Sequence, residues 1–334
     1  MLLIDLGAAN SSSLKAFSLI RAKNKKAQLD ALGKVVSLEH LYRIDFIETF
    51  TKLLIKYREF GEVIIANCEG KESWRKRVSA NYRSKEKPFT QEEEMAEMIS
   101  NEIVSTFKSA TKIKLINLKG IENRDVIASL SRTEGKHLIY AVGNIYKQLV
   151  DDNVGYYNIS DAKIVRDQQK ETFHSLFMKF LMGDVRHSVK SIMANSEPSP
   201  AFVKHMKKKH KIEVSKENFF HLVSTAPHYI EQYALETEKN PYRLIGMNSG
   251  KAKKIVVDHG EIKALLNNPL AFRNHKVNKQ LYDLRALPEI VETAIFQEYM
   301  KLEIPNYKEL AAYFEEKRVP AVSNDMSTLH SFLM

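Results

Sequence analysis

Carboxylate side chains follow several short apolar runs of this chain. Asp5 ends the run LLID, Glu69 lies just past VIIA, and Glu122 and Asp125 come soon after IKLINL. Ligands of open α/β sheets bind outside the carboxyl ends of the strands, so carboxylates at those ends favour a ligand site. Asp5 either binds a metal ion or caps the next segment. Glu122 and Asp125 share a helical face, and a structural role as first-turn acids, favoured by the helix dipole, stays open for both.

A basic and aromatic segment follows Glu69. Clustered Lys and Arg with interleaved aromatic rings suit phosphates and unstacked bases, so the segment predicts a contact with nucleic acid. The alternative is a solvated helix that happens to be basic. The candidate nucleic-acid-binding residues are Trp74, Arg75, Lys76, Arg77, Tyr82, Arg83 and Lys85.

The composition agrees with an anionic partner. The 334 residues carry a net charge of +10 and the pI is near 9.3, although basicity that serves only solubility is the alternative. Cys68 is the single cysteine, which excludes an intrachain disulfide and disfavours a thiolate zinc site. The N-terminus lacks the regions of a signal peptide, and no run approaches the ~20 apolar residues of a membrane span. We therefore expect a cytoplasmic protein that does not contact membranes.

Strand and helix patterns alternate along the first half of the chain. The helical pattern from Ser37 to Phe60 is one of them, and Thr90 with Glu93 indicates the capping box of another helix. The buried-strand patterns cover residues 2–5, 63–66, 113–118 and 138–142. This alternation predicts an α/β fold, with a mostly parallel central sheet flanked by helices and a helical C-terminal domain.

Two domains are expected. The α/β domain is predicted to span residues 1–165, with a basic arch at 71–90, and the helical domain is predicted to span 166–334. Within the helical domain, the Lys-rich run 204–211 is expected to be a solvated helix face that can contact backbone phosphates.

Seven segments in a shared order carry a resemblance to a known family. They are LLID, CEGKESWRKRVSANYRSK, GIENRDVIASL, GKHLIYAVGNIYKQL, FMKFLMGDVRHSVKSI, SPAFVKHMKKKHKIEV and NKQLYDLRALPEIVETAI. The chain resembles the phage ribonuclease H and flap endonuclease branch of the 5′-nuclease (5′-3′ exonuclease, PIN-like) superfamily. The resemblance covers most of the chain and implies a PIN-like core and a divalent-metal nuclease, in which carboxylates hold two Mg²⁺ (or Mn²⁺) ions.

The same resemblance implies the substrates and partners. These are DNA or RNA–DNA with a 5′ end or flap, together with replication proteins such as a sliding clamp or a single-strand-binding protein. By position, the residues that the resemblance places at the metals are Asp5, Glu69, Glu122, Asp125 and Asp184.

This chain departs from the family pattern at its acidic positions. Of the acidic positions that the resemblance places, five are kept, and Glu69 is a longer carboxylate than the usual Asp. The replacements are Arg124, His187 and, after the fourth strand, Gly143 and Ile145, or Asn144 if the match shifts by one residue. An arginine in place of an aspartate changes the local charge by two units, which weakens binding of divalent ions. Asp151 and Asp152 are candidates to restore the missing ligands.

Three functions follow from these observations. The first is a degenerate 5′-nuclease that binds branched or 5′-ended DNA or RNA–DNA during phage replication and cleaves it weakly or not at all. The second is an active Mg²⁺-dependent 5′→3′ exonuclease or flap endonuclease of the ribonuclease H type that removes primers. The third is a replisome interaction module, since the tail from Met326 to Met334 loosely resembles a clamp-binding tail. A Cys68 nucleophile with His187 or His137 is a weaker alternative to a buried structural thiol.

Overall fold

The structure is a computed structural model. It describes residues 1–11, 13–25, 36–68, 72–84, 87–165, 169–184, 187–189, 191–192, 197–239, 241–243, 252, 269–302, 304–306 and 308–317.

A six-stranded sheet forms the centre of the fold. Its strands are β1 (Leu2–Asp5), β2 (Val63–Ala66), β3 (Lys114–Ile116), β4 (His137–Ala141), β5 (Val154–Asn158) and β6 (Lys163–Val165). Their spatial order is β3-β2-β1-β4-β5-β6. The first five run parallel, and β6 pairs antiparallel with β5. The predicted α/β class with a mostly parallel sheet is therefore confirmed.

Helices flank this sheet. In chain order they are α1 (Leu14–Asn24), α2 (Leu38–Lys56), α3 (Arg75–Val78), α4 (Gln91–Ala110) and α5 (Asn123–Leu130). After the sheet come α6 (Gln169–Met182), α7 (Pro200–His205), α8 (Lys216–Thr225), α9 (His228–Thr237), α10 (Pro269–Tyr282), α11 (Glu289–Tyr299) and α12 (Lys308–Glu316). A short hairpin pairs β7 (Glu197–Pro198) with β8 (Tyr242–Arg243).

Both faces of the sheet are covered by apolar side chains. Along β1, Leu2 and Ile4 belong to one buried cluster, whereas Leu3 belongs to the cluster on the other side. The alternation arises because successive side chains of a strand point to opposite faces. Helices α2 and α4 contribute to the first cluster, and α5 and α11 contribute to the second. Burial on both faces explains why the strands are continuous apolar runs.

Local signals at helix starts match the structure. The Thr90 side chain accepts from the Glu93 backbone N–H, and the Glu93 carboxylate accepts from the Thr90 backbone N–H, which completes the predicted capping box of α4. Strands β5 and β6 were not predicted. The β5 sequence VGYYN contains a glycine and ends in an asparagine, two residues that are depleted in strands, so its strand pattern is weak.

The chain divides into two compact units. The first contains residues 1–77, 86–173 and 283–334, and the second contains 78–85 and 174–282. The second unit has its own apolar cluster, in which Phe202, Met206 and Phe219 are buried. Compared with the predicted division at residue 165, the chain from Asp283 onward returns to the first unit. Among the described residues, no helix combines the length and the apolar character that a membrane crossing requires.

Candidate functional site at the carboxyl edge of the sheet

The strand order creates a switch point beside β1. Strands β2 and β3 lie on one side of β1, and β4 and β5 lie on the other side. The connections that follow β1 and β4 therefore run in opposite directions across the sheet. Such a point, at the carboxyl ends of the strands, is where open α/β sheets bind ligands. Asp5 ends β1 there, and Asn67 follows β2.

Asp5 is enclosed by hydrogen-bond donors. Its Oδ1 accepts from the backbone N–H of Gly7 at 3.0 Å and from Nδ2 of Asn123 at 2.7 Å, and its Oδ2 accepts from the hydroxyl of Tyr146. Burial nevertheless raises the pKa of the Asp5 carboxyl, against the opposing effect of these donors and of Lys15. The Asp5 carboxylate is therefore held by the protein itself, with three of its lone-pair positions occupied.

Asp125 forms the centre of a buried ion-pair network. The fully buried guanidinium of Arg75 donates to both oxygens of Asp125, at 2.8 and 2.6 Å. The indole of Trp74 donates to Asp125 Oδ2 at 3.0 Å, and the backbone N–H of Glu122 donates to the same oxygen at 3.1 Å. Bidentate Arg–carboxylate pairs are among the strongest side-chain contacts. Asp125 thus acts as an internal anchor.

Glu122 is neutralised by two arginines. Its Oε1 lies 3.6 Å from Arg75 Nη1, and its Oε2 lies 2.9 Å from Arg124 Nε in an ion pair. Glu122 is also the N-cap of α5, with Asp125 at the third helical position of a capping box. Glu122 and Asp125 therefore have the structural role at the start of a helix that the sequence analysis left open as an alternative to metal binding. Arg124, which stands where the family resemblance expects an aspartate, supplies one of the two positive charges.

A third buried cation lies near Asp5. The side chain of Lys15 on α1 is fully buried, and its Nζ donates to Asn67 Oδ1 at 2.9 Å, to Asn101 Oδ1 at 3.0 Å and to the Glu97 carboxylate. Burial lowers the pKa of Lys15, against the effects of Glu97 and Asp5.

The charge balance at this edge disfavours divalent metal ions. Among the residues that the structure describes here, the cations Lys15, Arg75 and Arg124 face the carboxylates Asp5, Glu97, Glu122 and Asp125. One formal negative charge remains, whereas two Mg²⁺ ions would bring four positive charges. Within the described part of the chain, no group of three or more acidic, His or Cys side chains is arranged to hold a metal. The described carboxylates therefore do not fit the metal pair that the resemblance implies.

The two other predicted metal ligands are placed differently. Glu69 lies outside the described residues. Asp184 belongs to the second unit, where its Oδ2 lies 3.2 Å from both Lys179 Nζ and His187 Nδ1. Burial acts to raise the pKa of Asp184, but the hydrogen bond from His187 and the charge of Lys179 hold it well below its usual range.

The predicted nucleic-acid-binding residues fall into two groups. Arg75 and Tyr82 are buried, so the structure corrects the expectation that they are surface contacts. Arg75 pairs inward with Asp125 as above, and Tyr82 packs on the His187 ring within the second unit. Four others are at least partly accessible to solvent: Lys76 and Arg77 are exposed, and Trp74 and Arg83 are half-buried. Lys85 lies outside the described residues.

The candidates for replacing the missing ligands lie elsewhere. Asp151 precedes β5, and its Oδ1 accepts from the backbone N–H groups of Asn153 and Val154 at 2.8 and 2.9 Å. Because β5 is parallel to β1 in the sheet, Asp151 and Asp152 lie at the amino edge, whereas Asp5 lies at the carboxyl edge. They do not complete the ligand set.

Cys68 is a structural thiol. It lies just past β2, its Sγ is 3.6 Å from the carbonyl oxygen of Ile116, and the backbone N–H of Leu118 points to Sγ at 3.4 Å. Burial raises the pKa of the thiol to about 12, to which the charges of nearby carboxylates add. A thiolate nucleophile at neutral pH is thereby disfavoured.

The sequence missed the residues that close the site around Asp5. Asn123 and Tyr146 both lie inside segments that carry the family resemblance, yet neither is a charged residue. Lys15 lies in α1 in a stretch without any motif. The sequence offered only an indirect indication of these residues. A buried carboxylate requires hydrogen-bond donors, and polar side chains next to strand ends are the nearest candidates.

Comparisons with known proteins give structural matches only. No family model matches the chain, and no curated protein matches it. Among solved structures, the chain resembles bacteriophage T5 5′-exonuclease with bound zinc, at 12% identity and a TM-score of 0.47, covering 89% of this chain and 98% of that one. It also resembles the T5 flap endonuclease in a product complex with DNA and metal ions, at 12% identity and a TM-score of 0.47, covering 95% and 98%.

A third match has a lower score. It is a mutant of the T5 5′-exonuclease, at 11% identity and a TM-score of 0.43, covering 95% of this chain and 98% of that one. At such identities and TM-scores, the argument for function rests on this chain's own residues.

Proposed function

We propose that this protein binds branched or 5′-ended DNA, or RNA–DNA, and cleaves it weakly or not at all. The observation that carries the proposal is the internal pairing of Glu122 and Asp125 by Arg75 and Arg124. These arginines supply positive charge from within the protein at the edge where the resemblance places divalent ions.

Recruiting these carboxylates to a metal would carry a large energetic cost. Arg75 is fully buried, and withdrawing Asp125 from it would leave an uncompensated buried charge. Breaking a buried pair in this way typically costs about 3–5 kcal/mol. A metal would have to offset that cost before it could activate water. Cleavage is therefore disfavoured by the same contacts that stabilise the site.

The binding surface is proposed to use the exposed part of the basic segment. Lys76 and Arg77 are exposed on α3, the short helix that begins at Arg75, whose side chain pairs inward with Asp125. The inward pairing of Arg75 thus fixes the short helix that presents the two cations. In the second unit, the run from Lys204 to Lys211 is also largely exposed, although Lys207 pairs with Glu213 and Lys209 with Glu236. Cations of this kind bind phosphates without regard to sequence.

The test measures binding and cleavage on one labelled 5′-flap DNA, with Mg²⁺, Mn²⁺ or a chelator. We expect binding in the presence of chelator and no metal-dependent product. The double variant Lys76→Glu/Arg77→Glu should weaken binding at least about tenfold, since it reverses two phosphate-facing charges. The matched control, Lys52→Glu/Lys56→Glu on α2, changes the same number of exposed charges away from the carboxyl edge.

The alternatives give distinct results. Metal-dependent product that disappears in Asp5→Ala would overturn the proposal and establish an active nuclease with a reduced metal site. Equal binding losses in both double variants would show that the net charge, and not α3, is responsible. A chain that neither binds nor cleaves the flap would favour the interaction module.

A further inference from the structure

An ammonium group inside the first unit is enclosed by oxygen atoms. The Lys15 side chain on α1 is fully buried. Its Nζ donates to Oδ1 of Asn67 at 2.9 Å, to Oδ1 of Asn101 at 3.0 Å and to Oε1 of Glu97. A lysine ammonium has three N–H donors and no acceptor. Each donor is therefore matched by one oxygen, and we refer to these three oxygens as the oxygen cage.

The oxygen cage is itself held in place by hydrogen bonds. Asn67 Nδ2 donates to Asn101 Oδ1 at 3.0 Å, and Glu97 Oε2 accepts from the backbone N–H of Ala9 at 3.1 Å. Asn67 follows β2, Glu97 and Asn101 lie on α4, and Ala9 lies in the loop after β1. The cage therefore joins separate parts of the chain. Ligand groups that are locked by their own hydrogen bonds form a preorganised site.

The chemistry of the oxygen cage suits a small cation that carries N–H donors. Its members are one carboxylate and two amide carbonyls, so it has a formal charge of one negative unit. The Asn67 and Asn101 oxygens lie 2.9 and 3.0 Å from the Lys15 nitrogen, which are ordinary N–H···O distances. Mg²⁺ requires octahedral coordination at about 2.0–2.1 Å, and transition metals favour His and Cys ligands, which the cage lacks.

The oxygen cage lies near Asp5, at the carboxyl edge of the sheet. Burial raises the pKa of the Asp5 carboxyl, and the nearby Lys15 charge acts against that rise. Asp5 accepts from the backbone N–H of Gly7, in the same loop that Glu97 holds through Ala9. Lys15 therefore supplies positive charge beside the carboxylate at which the family resemblance implies a metal ion.

We propose that the oxygen cage is a binding site for a primary ammonium cation, and that Lys15 occupies it as a cation built into the chain. Through one positive charge it joins the loop after β1, the end of β2 and helix α4, as a bound ion would. The alternative is that Lys15 contributes only the packing of its aliphatic stem. The ammonium site does not depend on the nucleic-acid function proposed above, because its tests measure stability and cation uptake.

The test separates the ammonium from the stem by chemical rescue. Lys15→Ala removes the ammonium and most of the stem, and propylammonium supplies the same atoms from solution. We expect Lys15→Ala to lower Tm by at least about 5 °C, because Glu97 loses its counter-charge and a cavity remains. Propylammonium at about 100 mM should recover at least about 3 °C, since a ligand that binds only the folded state stabilises it. Calorimetry measures both shifts.

Matched measurements distinguish a bound cation from an effect of salt. Tetramethylammonium has the same charge but no N–H donors, and it should recover less than about 1 °C at the same concentration, as should NaCl. The wild type should shift by less than about 1 °C in propylammonium, because Lys15 already fills the cage. Lys114→Ala is the control variant. Lys114 also donates to a carboxylate, that of Glu62, but its side chain is 30% exposed, so propylammonium should not stabilise this variant.

A neutral variant tests the charge directly. Lys15→Met keeps most of the stem volume, fills the space that the amine needs and leaves Glu97 without its cation. Propylammonium should not stabilise it. Adding Glu97→Gln should raise the Tm of Lys15→Met, because the second substitution removes the unpaired charge.

Several results would overturn the ammonium site. They are no recovery of Lys15→Ala in propylammonium, equal recovery in tetramethylammonium or NaCl, or a Lys15→Met/Glu97→Gln variant less stable than Lys15→Met. Recovery by Mg²⁺ alone would assign the oxygen cage to a metal ion instead. If Lys15→Ala does not fold unaided, the refolding yield in propylammonium against tetramethylammonium replaces Tm, and equal yields would count against the site. Flap-DNA binding enters none of these measurements, so its failure would affect only the proposed nucleic-acid function.

Discussion

The charged side chains at the two edges of the sheet differ in burial and pairing. At the carboxyl edge, Arg75 and Asp125 are fully buried and bonded to each other. At the amino edge, Arg58 and Lys112 are exposed beside Leu302, which is itself 95% exposed. The charges of a buried ion pair neutralise each other and need no ligand. Exposed cations beside exposed apolar side chains remain accessible to a ligand. Open α/β sheets ordinarily bind ligands at the carboxyl edge. In this chain, the carboxylates at that edge are already paired with the protein's own arginines.

The largest expected effect comes from removing Arg75, which tests how much the buried ion pair at the carboxyl edge contributes to stability. We expect Arg75→Met to lower the free energy of unfolding by about 3–5 kcal/mol, because it leaves Asp125 buried without its counter-charge. Urea unfolding followed by circular dichroism measures this. The neighbouring exposed Lys76→Met should change stability by no more than about 0.5 kcal/mol. Equal effects of the two substitutions would mean that the Arg75 pair contributes nothing beyond a surface contact.

Metal titration tests whether the carboxylates at the carboxyl edge can bind Mg²⁺. A site with a dissociation constant of about 0.1 mM would add about 2.7 kcal/mol at about 10 mM Mg²⁺, which raises Tm by roughly 5–10 °C. For the wild type we expect a rise below about 1 °C, measured by calorimetry with and without chelator.

Arg124→Asp changes the local charge by two units and should make the Mg²⁺-dependent rise in Tm larger than in the wild type. Lys52→Asp, with the same charge change at an exposed position, is the control. A large rise in the wild type would show that residues beyond the described carboxylates complete a metal site.

The pH dependence of stability tests the burial of Asp5. Because burial raises the pKa of Asp5 in the folded state, the unfolded chain loses this proton at lower pH than the folded chain does. Below the ordinary aspartate value of about 3.9 both states are protonated, and the group contributes no pH dependence. As pH rises from there to the folded pKa, the wild type should lose stability relative to Asp5→Asn. Urea unfolding of both proteins between about pH 4 and pH 7 measures the difference. A difference that grows in favour of the wild type would contradict the raised pKa.

The smallest expected effect concerns a single exposed cation. Lys76→Ala should reduce the slope of log affinity against log salt for flap DNA by about one, if the side chain neutralises one phosphate. Fluorescence anisotropy at several salt concentrations measures the slope. Lys112→Ala, at an exposed position before β3 at the amino edge of the sheet, should leave the slope unchanged. A reversed pattern would place the nucleic acid at the amino edge.

Much of the fold was predictable from local pattern. The four predicted strands match β1 to β4 within two residues, because strands buried on both faces are continuous apolar runs. Strand β6 was missed because Lys163 and Ile164 are exposed at the edge of the sheet, where no apolar run is required.

The site was less predictable, because its contacts join residues far apart in sequence. Arg75 occurs within a basic run and was interpreted as a surface cation, but its partner Asp125 lies 50 residues later. Only the folded sheet brings the two together. The predicted acids Asp5, Glu122 and Asp125 do gather at the carboxyl edge, although their bonding partners could not be read from spacing.

The order in which the chain is synthesised has a consequence for folding. Leu310 and Tyr313 of α12 belong to the core of the first unit, and Tyr313 bonds to Arg43 of α2. On a ribosome, these residues emerge about 140 residues after Phe173, when the whole second unit has been made. At 5–20 residues per second, the first unit waits roughly 7–30 s for its last helix. During that interval the apolar surface that α12 covers is open to chaperones and to other nascent chains.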